Sequence, residues 1–306
     1  MYNREIKEQF LAEYEGGRKV SARINFESIG EYEELCGKDI AEMQLSEAIE
    51  ALKCVHIKTY GTAFGVLSFI RNYIKWCREN SVFNDINTNL ASLTVDDIDI
   101  SGELKTMLFT SEDELIKAMR SVRPFDDGYY DVIVVLFVWL GIPQKQITSI
   151  KINDVNLSDN VVVFEDMDIK FSDNIRDILS LYAKTKTGTR IKADGARIVY
   201  RDDSYDTFVR KFSAPKQLGK KLTSSQVEDA VYLLNKAYVE QGNSPKFTSG
   251  SIMYSGGLRR VYELEQQGVD VFSIKNKNAV IQAYRAKAKL YEILWLYKNY
   301  KKAFNL

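Results

Sequence analysis

An uninterrupted apolar run, VIVVLFVWLGI at residues 132–142, limits the folds open to this chain more than any other feature of the sequence. It is about half as long as the roughly 20 residues that a helix needs to cross a bilayer. We therefore expect a helix that is buried in a protein core. The residues that follow, PQKQITSIKINDVNL, predict a tight turn, a short amphipathic helix and the start of a strand.

Two domains are expected, because the chain has 306 residues and a single core rarely extends beyond about 250 to 300 residues. The polar stretch NDINTNLASLTVDDIDISGELKTMLFT lacks a long periodic pattern, which is typical of a connection between domains. The sequence thus predicts a helical domain over residues 1–105. A second domain follows over residues 106–306 and ends in a helical tail rich in tyrosine and lysine.

Helical periodicity dominates both predicted domains, and strand signals are confined to the second. Between residues 60 and 79, apolar residues recur at intervals of three and four, as on one buried helix face. These residues are Val66, Phe69, Ile70, Tyr73, Ile74 and Cys77. In the second domain, NVVVFEDMDIKF predicts a strand pair around an acidic turn, and KTKTGTRIKADGARIVYRDDS predicts a basic loop or hairpin. The expected fold class is mainly α with a small β-sheet.

Charge is unevenly distributed, although 42 Lys and Arg balance 42 Asp and Glu. Residues 1–110 hold 12 basic against 18 acidic residues, and residues 111–306 hold 30 against 24. Two clusters stand out, with 11 basic against 4 acidic residues over 184–221 and 8 against 1 over 275–302. Such clusters predict phosphate contacts, or else two solvated, lysine-rich faces.

The three cysteines and the single histidine exclude several kinds of chemistry. Cys36, Cys54 and Cys77 lack CxxC spacing, which indicates neither a disulfide framework nor a zinc site, and we expect core thiols. One histidine, His56, leaves little room for histidine-based catalysis; we interpret it as a core or surface residue, with a DNA contact as the less favoured alternative. No metal or cofactor is expected. The charged start MYNREIKEQF is unlike a secretory signal, so we expect a soluble cytoplasmic protein without a membrane partner.

Three segments of the chain resemble the tyrosine recombinase or phage integrase family. Residues 141–143, 146–147 and 154–157 read Gly-Ile-Pro, Gln-Ile and Asp-Val-Asn-Leu, where the family has Gly-Leu-Arg, Ser-Glu-Leu and Asp-Val-Asp-Leu. The segment KTYGTAFGVLSFIRNYIKWCREN is similar to the family's core-binding helix. GLRRVYELEQQGVD is similar to its His-x-Leu-Arg-His helix followed by Gly-Val-Asp. The resemblance implies a helical core-binding domain followed by a catalytic-like domain.

The resemblance also implies a reaction in which a tyrosine attacks a DNA phosphodiester, assisted by two arginines, a lysine and histidines. Here Pro143 stands at the first arginine position and Gln146 at the neighbouring acidic position. A proline has no charge with which to stabilise a phosphoryl transition state. The family's lysine hairpin reads FEDMD in this chain, which is acidic.

Two alignments remain open at the second arginine position. In one, Arg259 is the retained arginine, and Gly256 and Arg260 replace the histidines. In the other, Met253 and Tyr254 replace the arginine and a histidine. In neither alignment is a histidine present.

Tyr291 lies nearest the nucleophile position, with helix packing as its alternative role. Because its partners are replaced, we expect a protein that is not an enzyme. The predicted function is that of a sequence-specific DNA-binding protein similar to the integrase-like lysogeny repressors of SPbeta-type Bacillus prophages. An active or accessory recombinase that uses a tyrosine nucleophile is the alternative. The expected partner is double-stranded operator DNA; a regulatory phage protein or peptide, and self-association through the tail, are further expectations.

The residues predicted to contact DNA are mostly cationic and occur in both domains. They are Lys58, Tyr60, Arg71, Lys75 and Arg78 in the first domain, and Lys186, Arg190, Lys192, Arg197, Arg201, Arg210, Lys211, Arg259 and Arg260 in the second. Arginines are expected to read guanine by bidentate contacts, and lysines to contact phosphate.

Overall fold

The computed structural model describes residues 1–123, 130–192, 195–244 and 246–306, apart from the side chains of residues 189–192 and 195–197. These residues form two compact units, one of Met1–Leu104 with Leu294–Leu306 and one of Lys105–Ile293. None of the helices in the described part of the chain has the length and apolar character needed to cross a membrane.

The first unit is helical. It contains α1 (Arg4–Leu11), α2 (Gly16–Cys36), α3 (Leu45–Leu52), α4 (Tyr60–Glu79) and the first residues of α5 (Ser101–Met107), with 3-10 turns at Ile40–Glu42, Thr88–Ser92 and Val95–Asp97. All six apolar residues predicted to lie on one face of α4 are buried. Thr59 caps this helix, since its hydroxyl accepts a hydrogen bond from the N–H of Thr62.

The stretch predicted to connect the domains is more ordered than expected, since it holds two 3-10 turns and α5. Arg71 explains part of this order. Its Nε lies 3.1 Å from the carbonyl oxygen of Ala91, and its Nη2 donates to the carbonyl of Leu93. A long side chain on α4 thus holds the extended backbone that follows, a contact that no local pattern could indicate.

Aromatic rings fill the core of the first unit. The centroid of Phe26 lies 4.6 Å from that of Phe69 and 4.8 Å from that of Tyr73, and Phe10 lies 5.1 Å from Tyr73. Burial of each large apolar side chain contributes about 1.5 to 3 kcal/mol. These contacts join α1, α2 and α4.

Three charged side chains, Lys7, Glu33 and Asp39, are fully buried in the same unit. The Lys7 ammonium donates to Glu33 and lies 3.6 Å from Asp39 Oδ2. Glu33 also accepts the N–H of Ile40 at 2.8 Å, and Asp39 accepts the hydroxyl of Tyr73 at 3.2 Å. We call these three residues the lysine–carboxylate network; it ties α1 to the end of α2 and the turn after it.

The end of helix α12 (Leu290–Phe304) belongs to the first unit from Leu294 onward. Trp295 donates its indole N–H to the carbonyl of Val95 at 2.8 Å, and Asn299 accepts the N–H of Ile100 at 3.1 Å. The sequence places this tail in the second domain. Its apolar stripe shows that a surface must cover it, but the stripe does not specify which surface.

The second unit is built around α7. Its helices are α6 (Glu112–Val122), α7 (Tyr130–Trp139), α8 (Asp173–Lys184), α9 (Ser224–Glu240), α10 (Ser249–Gln266) and α11 (Lys277–Tyr284). The apolar run of residues 132–142 is buried along its whole length, as predicted. The short helix expected after it is a 3-10 turn, Gln144–Ser149, a form common in such short pieces.

Two small antiparallel sheets complete the second unit. The first has the order β1 (Val155–Asn156), β2 (Val161–Phe164), β3 (Met167–Lys170), and the second the order β4 (Thr187–Lys192), β5 (Gly195–Arg201), β6 (Phe212–Ser213). The predicted strand pair is β2 and β3, and the basic segment forms the hairpin of β4 and β5. The predicted fold class, mainly α with small β-structure, is confirmed.

Candidate nucleic-acid interface and the cleft at Pro143

A half-buried arginine joins three helices of the second unit. Arg260 on α10 donates from Nη1 to the carbonyl of Trp139 at 2.6 Å, from Nε to that of Ala283 at 2.7 Å and from Nη2 to that of Tyr284 at 3.3 Å. Trp139 and Tyr284 are the last residues of α7 and α11. The guanidinium therefore binds the carbonyl ends of two helices, where the partial charge is negative.

Gly256 allows this arrangement. A Cβ atom at this position would lie 2.1 Å from the carbonyl oxygen of Trp139, which is far inside contact distance. Only glycine lets α10 approach α7 so closely, and Arg260, one turn later on α10, then reaches the same carbonyl. Gly256, which one alignment places at a histidine position, is thus a packing residue.

Arg285 lies beside Arg260 and follows the end of α11. Its Nη1 donates to the carbonyl of Leu140 at 3.1 Å. Burial, together with the neighbouring charge of Arg285, lowers the pKa of Arg260 to about 9. Burial also lowers the pKa of Arg285. We call Arg260, Arg285 and the carbonyls they bind the helix-end cluster.

Pro143 lies at the edge of a cleft of about 1000 Å³ in the second unit. Its φ of −59° suits a proline. Gln146 also lines the cleft, and its Nε2 donates to Glu165 Oε1 at 2.9 Å. Glu165 is in the two-residue turn between β2 and β3, where φ is 47° at Glu165 and 61° at Asp166, as in the tight turns that hairpins favour. Gln146 thus fixes the acidic hairpin to the turn that carries Pro143.

The other residues that the resemblance selects lie in different places. Met253 lines the cleft together with Pro143 and Gln146. Arg259 instead forms an ion pair with Glu263, one turn away on α10, at 2.8 Å. Tyr291 is 47% exposed and lies beneath the Lys289 ammonium, which is 5.6 Å from the ring centroid. Met253, and not Arg259, therefore lines the same cleft as Pro143.

In the predicted basic region, two arginines bind groups within the protein, whereas several lysines are exposed to solvent. Arg201 and Arg210 both bind the carboxylate of Asp203, Arg201 through Nε at 2.6 Å. Arg201 also donates to the carbonyl of Ala183 at 2.6 Å. These hydrogen bonds lower the pKa of Asp203. The two arginines stabilise the loop, and their donors are largely used within the protein.

Asp202 anchors the far end of the same loop. This buried carboxylate accepts the N–H of Gly219 at 2.6 Å and the N–H of Lys220 and Ser204 at 3.1 Å. Burial favours a raised pKa for Asp202, but these hydrogen bonds outweigh it and lower the pKa. Asp202 therefore brings residues 219–220 next to the end of β5.

Five lysines of residues 184–221 are exposed, and we call them the lysine surface: Lys184, Lys186, Lys216, Lys220 and Lys221. The backbone keeps them together, because Arg201 N–H donates to Lys186 at 2.9 Å and β6 pairs with β5. Only Lys186 is among the individually predicted contacts. The other four lysines belong to the charge cluster over residues 184–221. Lysine is usually exposed, and this preference is the signal that could have identified them.

Further predicted contacts in the second unit lie near or outside this surface. Lys211 is half-buried. The side chains of Arg190, Lys192 and Arg197 lie outside the described residues, although their backbone belongs to β4 and β5.

In the first unit the predicted contacts differ in exposure. Lys58, Lys75 and Arg78 are exposed, and Lys75 lies 3.8 Å from Glu79. Tyr60 packs edge-on against Trp295, with ring centroids 5.7 Å apart. Together with Arg71, which binds backbone carbonyls, Tyr60 is a packing residue, whereas Lys58 and Arg78 present charge to solvent.

The single histidine and the three cysteines differ in their exposure to solvent. His56 is exposed, and its Nδ1 lies 2.9 Å from Glu103 Oε1. Cys77 is buried, whereas Cys36 and Cys54 are half-buried. Within the described ranges, no group of three His, Cys, Asp or Glu side chains is arranged to hold a metal ion.

Comparisons with known proteins locate the similarity most clearly in the first unit. A family model described as "MrpR, N-terminal core-binding domain" matches residues 1–79. The crystal structure of XerA recombinase is similar with a TM-score of 0.42 and 13% sequence identity, over 98% of this chain and 94% of that chain. No curated protein matches the sequence. The first 79 residues are thus similar to the core-binding domain that this family model describes.

Proposed function

We propose that this chain binds duplex DNA at specific sequences and represses transcription without cutting or joining strands. The finer form of the proposal is a prophage repressor that maintains lysogeny, located with the bacterial DNA in the cytoplasm. Operator DNA is its partner. The lysine surface is the observation that carries the proposal, because concentrated exposed positive charge supplies the phosphate contacts of DNA binding.

The first unit supports the same function. Residues 1–79 match a core-binding domain, and the exposed Lys58 and Arg78 lie just before and at the end of α4. Cationic groups on a helix suit contacts to the backbone or major groove.

The cleft at Pro143 supports a function without catalysis. Proline and methionine occupy its wall, and Arg260 is committed to helix carbonyls. The one histidine of the chain, His56, lies in the first unit. Phosphoryl transfer requires preorganised donors around the phosphate, and proline and methionine side chains offer none.

The test begins with selection from random-sequence duplex DNA at physiological salt, followed by a denaturing gel of the bound fragments. We expect one enriched motif and no covalent adduct. An adduct that disappears in Tyr291→Phe would replace the repressor with an active recombinase. Failure to enrich any motif, together with salt-independent binding, would remove the DNA-binding function.

A second experiment tests the lysine surface with Lys220→Gln/Lys221→Gln. On the selected site, the slope of log affinity against log salt should become shallower by about 2, since each phosphate contact contributes about −0.9 to the slope. Lys236→Gln is the matched control, because Lys236 is an exposed lysine on α9 outside the surface. An equal loss in both variants would show a general charge effect and contradict the assignment.

A further inference from the structure

One face of α11 forms a largely polar wall of the cleft at Pro143. Asn278, Ile281, Gln282 and Arg285 line it, at the spacing that places residues on one side of a helix. On the opposite side of α11, Val280 and Tyr284 are fully buried. The helix is therefore well anchored, and its cleft face is held in place.

Polar groups on this face have unused hydrogen-bonding capacity. Among the described residues, neither Asn278 nor Gln282 has a side-chain hydrogen-bond partner, and Arg285 uses only Nη1, on Leu140. Lys145 and Lys287 also line the cleft, are exposed and form no ion pair with a described residue. The cleft thus offers three cations and two carboxamides to a ligand.

The remaining walls are apolar. Phe164, Met167 and Ile169 come from the hairpin of β2 and β3, and Met253 comes from α10. The two acidic side chains of the lining are Glu228 and Glu165, and Glu165 accepts a hydrogen bond from Gln146. Three cations against two carboxylates leave a net positive charge beside an apolar floor.

A DNA phosphodiester fits this cleft poorly, because its strongly hydrated backbone would face Pro143, Phe164 and Met167 and the charge of Glu165. We propose instead that the cleft binds a small amphipathic carboxylate, a molecule with an apolar body and one carboxylate group. The apolar body lies against Phe164, Met167 and Met253, and the carboxylate accepts hydrogen bonds from the unused N–H groups of Arg285, with Lys145 and Lys287 nearby. Arginine is suited to this because its planar fork matches a carboxylate. A cleft of about 1000 Å³ accommodates a ligand of this class.

Methionine methyl groups provide a direct readout. The chain has six methionines, of which Met167 and Met253 line the cleft. Met43 and Met119 are fully buried elsewhere and report any general disturbance. The full-length protein, labelled with 13C at the methionine methyl groups, is titrated with octanoate, octan-1-ol and octyltrimethylammonium, which share an apolar chain and differ in charge. Met167→Leu and Met253→Leu assign the two signals.

The expected result is a saturable shift of the Met167 and Met253 signals with octanoate, and weaker binding of the alcohol and the cation. In Lys145→Gln/Lys287→Gln, octanoate affinity should fall about threefold to tenfold, since exposed ion pairs contribute modestly, while octan-1-ol affinity stays constant. Lys236→Gln and Lys277→Gln, exposed lysines outside the cleft, should leave octanoate binding unchanged.

Three results would overturn the inference. They are equal or tighter binding of octan-1-ol, tighter binding of octyltrimethylammonium, and shifts at Met167 and Met253 no larger than those at Met43 and Met119. The measurement contains no DNA, so it succeeds or fails independently of the repressor function.

Discussion

Each unit contains a cation whose charge is balanced inside the protein, but the two cations have different partners. In the first unit, Lys7 is balanced by the carboxylates of Glu33 and Asp39. In the second, Arg260 binds only main-chain carbonyls, at the ends of α7 and α11. A lysine ammonium is a compact charge that requires counter-charges when buried, whereas the wide guanidinium can distribute its charge over several helix-end dipoles.

This difference separates structural cations from those available to a partner. Burial and the neighbouring Arg285 lower the pKa of Arg260 to about 9, which measures the cost of its position. The three carbonyls occupy N–H donors of this guanidinium within the protein, and the prediction that Arg260 contacts DNA stays a prediction. Within the described part of the chain, the lysines of the lysine surface form no such bonds through their side chains.

The largest effect is expected for Arg260→Met. Three carbonyl groups at the ends of α7 and α11 lose their donor, and the free energy of unfolding should fall by about 3 to 4 kcal/mol. Urea denaturation monitored by tryptophan fluorescence measures the change, with Trp139 at the end of α7 as a local reporter. The matched control is Arg259→Met, which removes a half-exposed ion pair with Glu263 and a contact with the ring of Tyr262. Its cost should stay below about 1 kcal/mol. Equal costs in the two variants would refute the structural role of Arg260.

Lys7→Met should be the next most harmful change. It leaves Glu33 and Asp39 buried without a cation, which costs about 3 kcal/mol. Adding Glu33→Gln to the same chain should restore much of the stability, because one uncompensated charge is removed. Chemical denaturation of both variants tests this, and a double variant less stable than Lys7→Met would contradict the network.

The pH dependence of the free energy of unfolding should distinguish the lysine–carboxylate network from Arg260. Burial raises the pKa of Glu33 from 4.5 to about 7, with Lys7 opposing the rise and Asp39 adding to it. Since the folded state then binds the proton more tightly than the unfolded state, the contribution of Glu33 is greatest below pH 4.5. It is lost as pH rises towards 7, by at most about 1.4 kcal/mol per pH unit.

Glu33→Gln should abolish this slope in denaturation curves recorded between pH 4.5 and 7, whereas Arg260→Met should retain it. A slope that persists in Glu33→Gln would assign the titration to another group.

The smallest effect on the free energy of unfolding is expected at Asp202. This buried anion accepts backbone N–H groups, whereas Arg260 is a cation that donates to backbone carbonyls. Asp202→Asn keeps the shape but removes the charge, and the loss should be about 1 kcal/mol. Because the pKa of Asp202 is lowered, its contribution is present above pH 3.8 and is lost at lower pH. Hydrogen exchange at the amides of Gly219 and Lys220 should quicken. Unchanged exchange there would show that Asp202 does not anchor the lysine surface.

Local patterns could predict the elements of the fold. The apolar stripe of α4, the buried run of α7 and the hairpin of β2 and β3 all follow from spacing and turn chemistry. These features depend on residues close together in the chain, and the physical reason for each is visible in the sequence.

Long-range contacts could not be predicted in the same way. The direction of Arg260 depends on a close approach between α10 and α7 that Gly256 allows. Arg71 likewise binds carbonyls about twenty residues away. In both cases a basic residue predicted to contact DNA is used internally, because charge in a sequence does not reveal what faces it. The cleft, formed by five separate segments, was also beyond local patterns.

The end of α12 has a consequence for the order in which this protein is made. The first unit is formed by Met1–Leu104 and Leu294–Leu306, so all of Lys105–Ile293 is synthesised before the first unit receives its last helix. Until then, the surface that Trp295 and Tyr300 cover is open to solvent or to chaperones. The second unit is contiguous from Lys105 to Ile293 and depends on no distant segment of this kind.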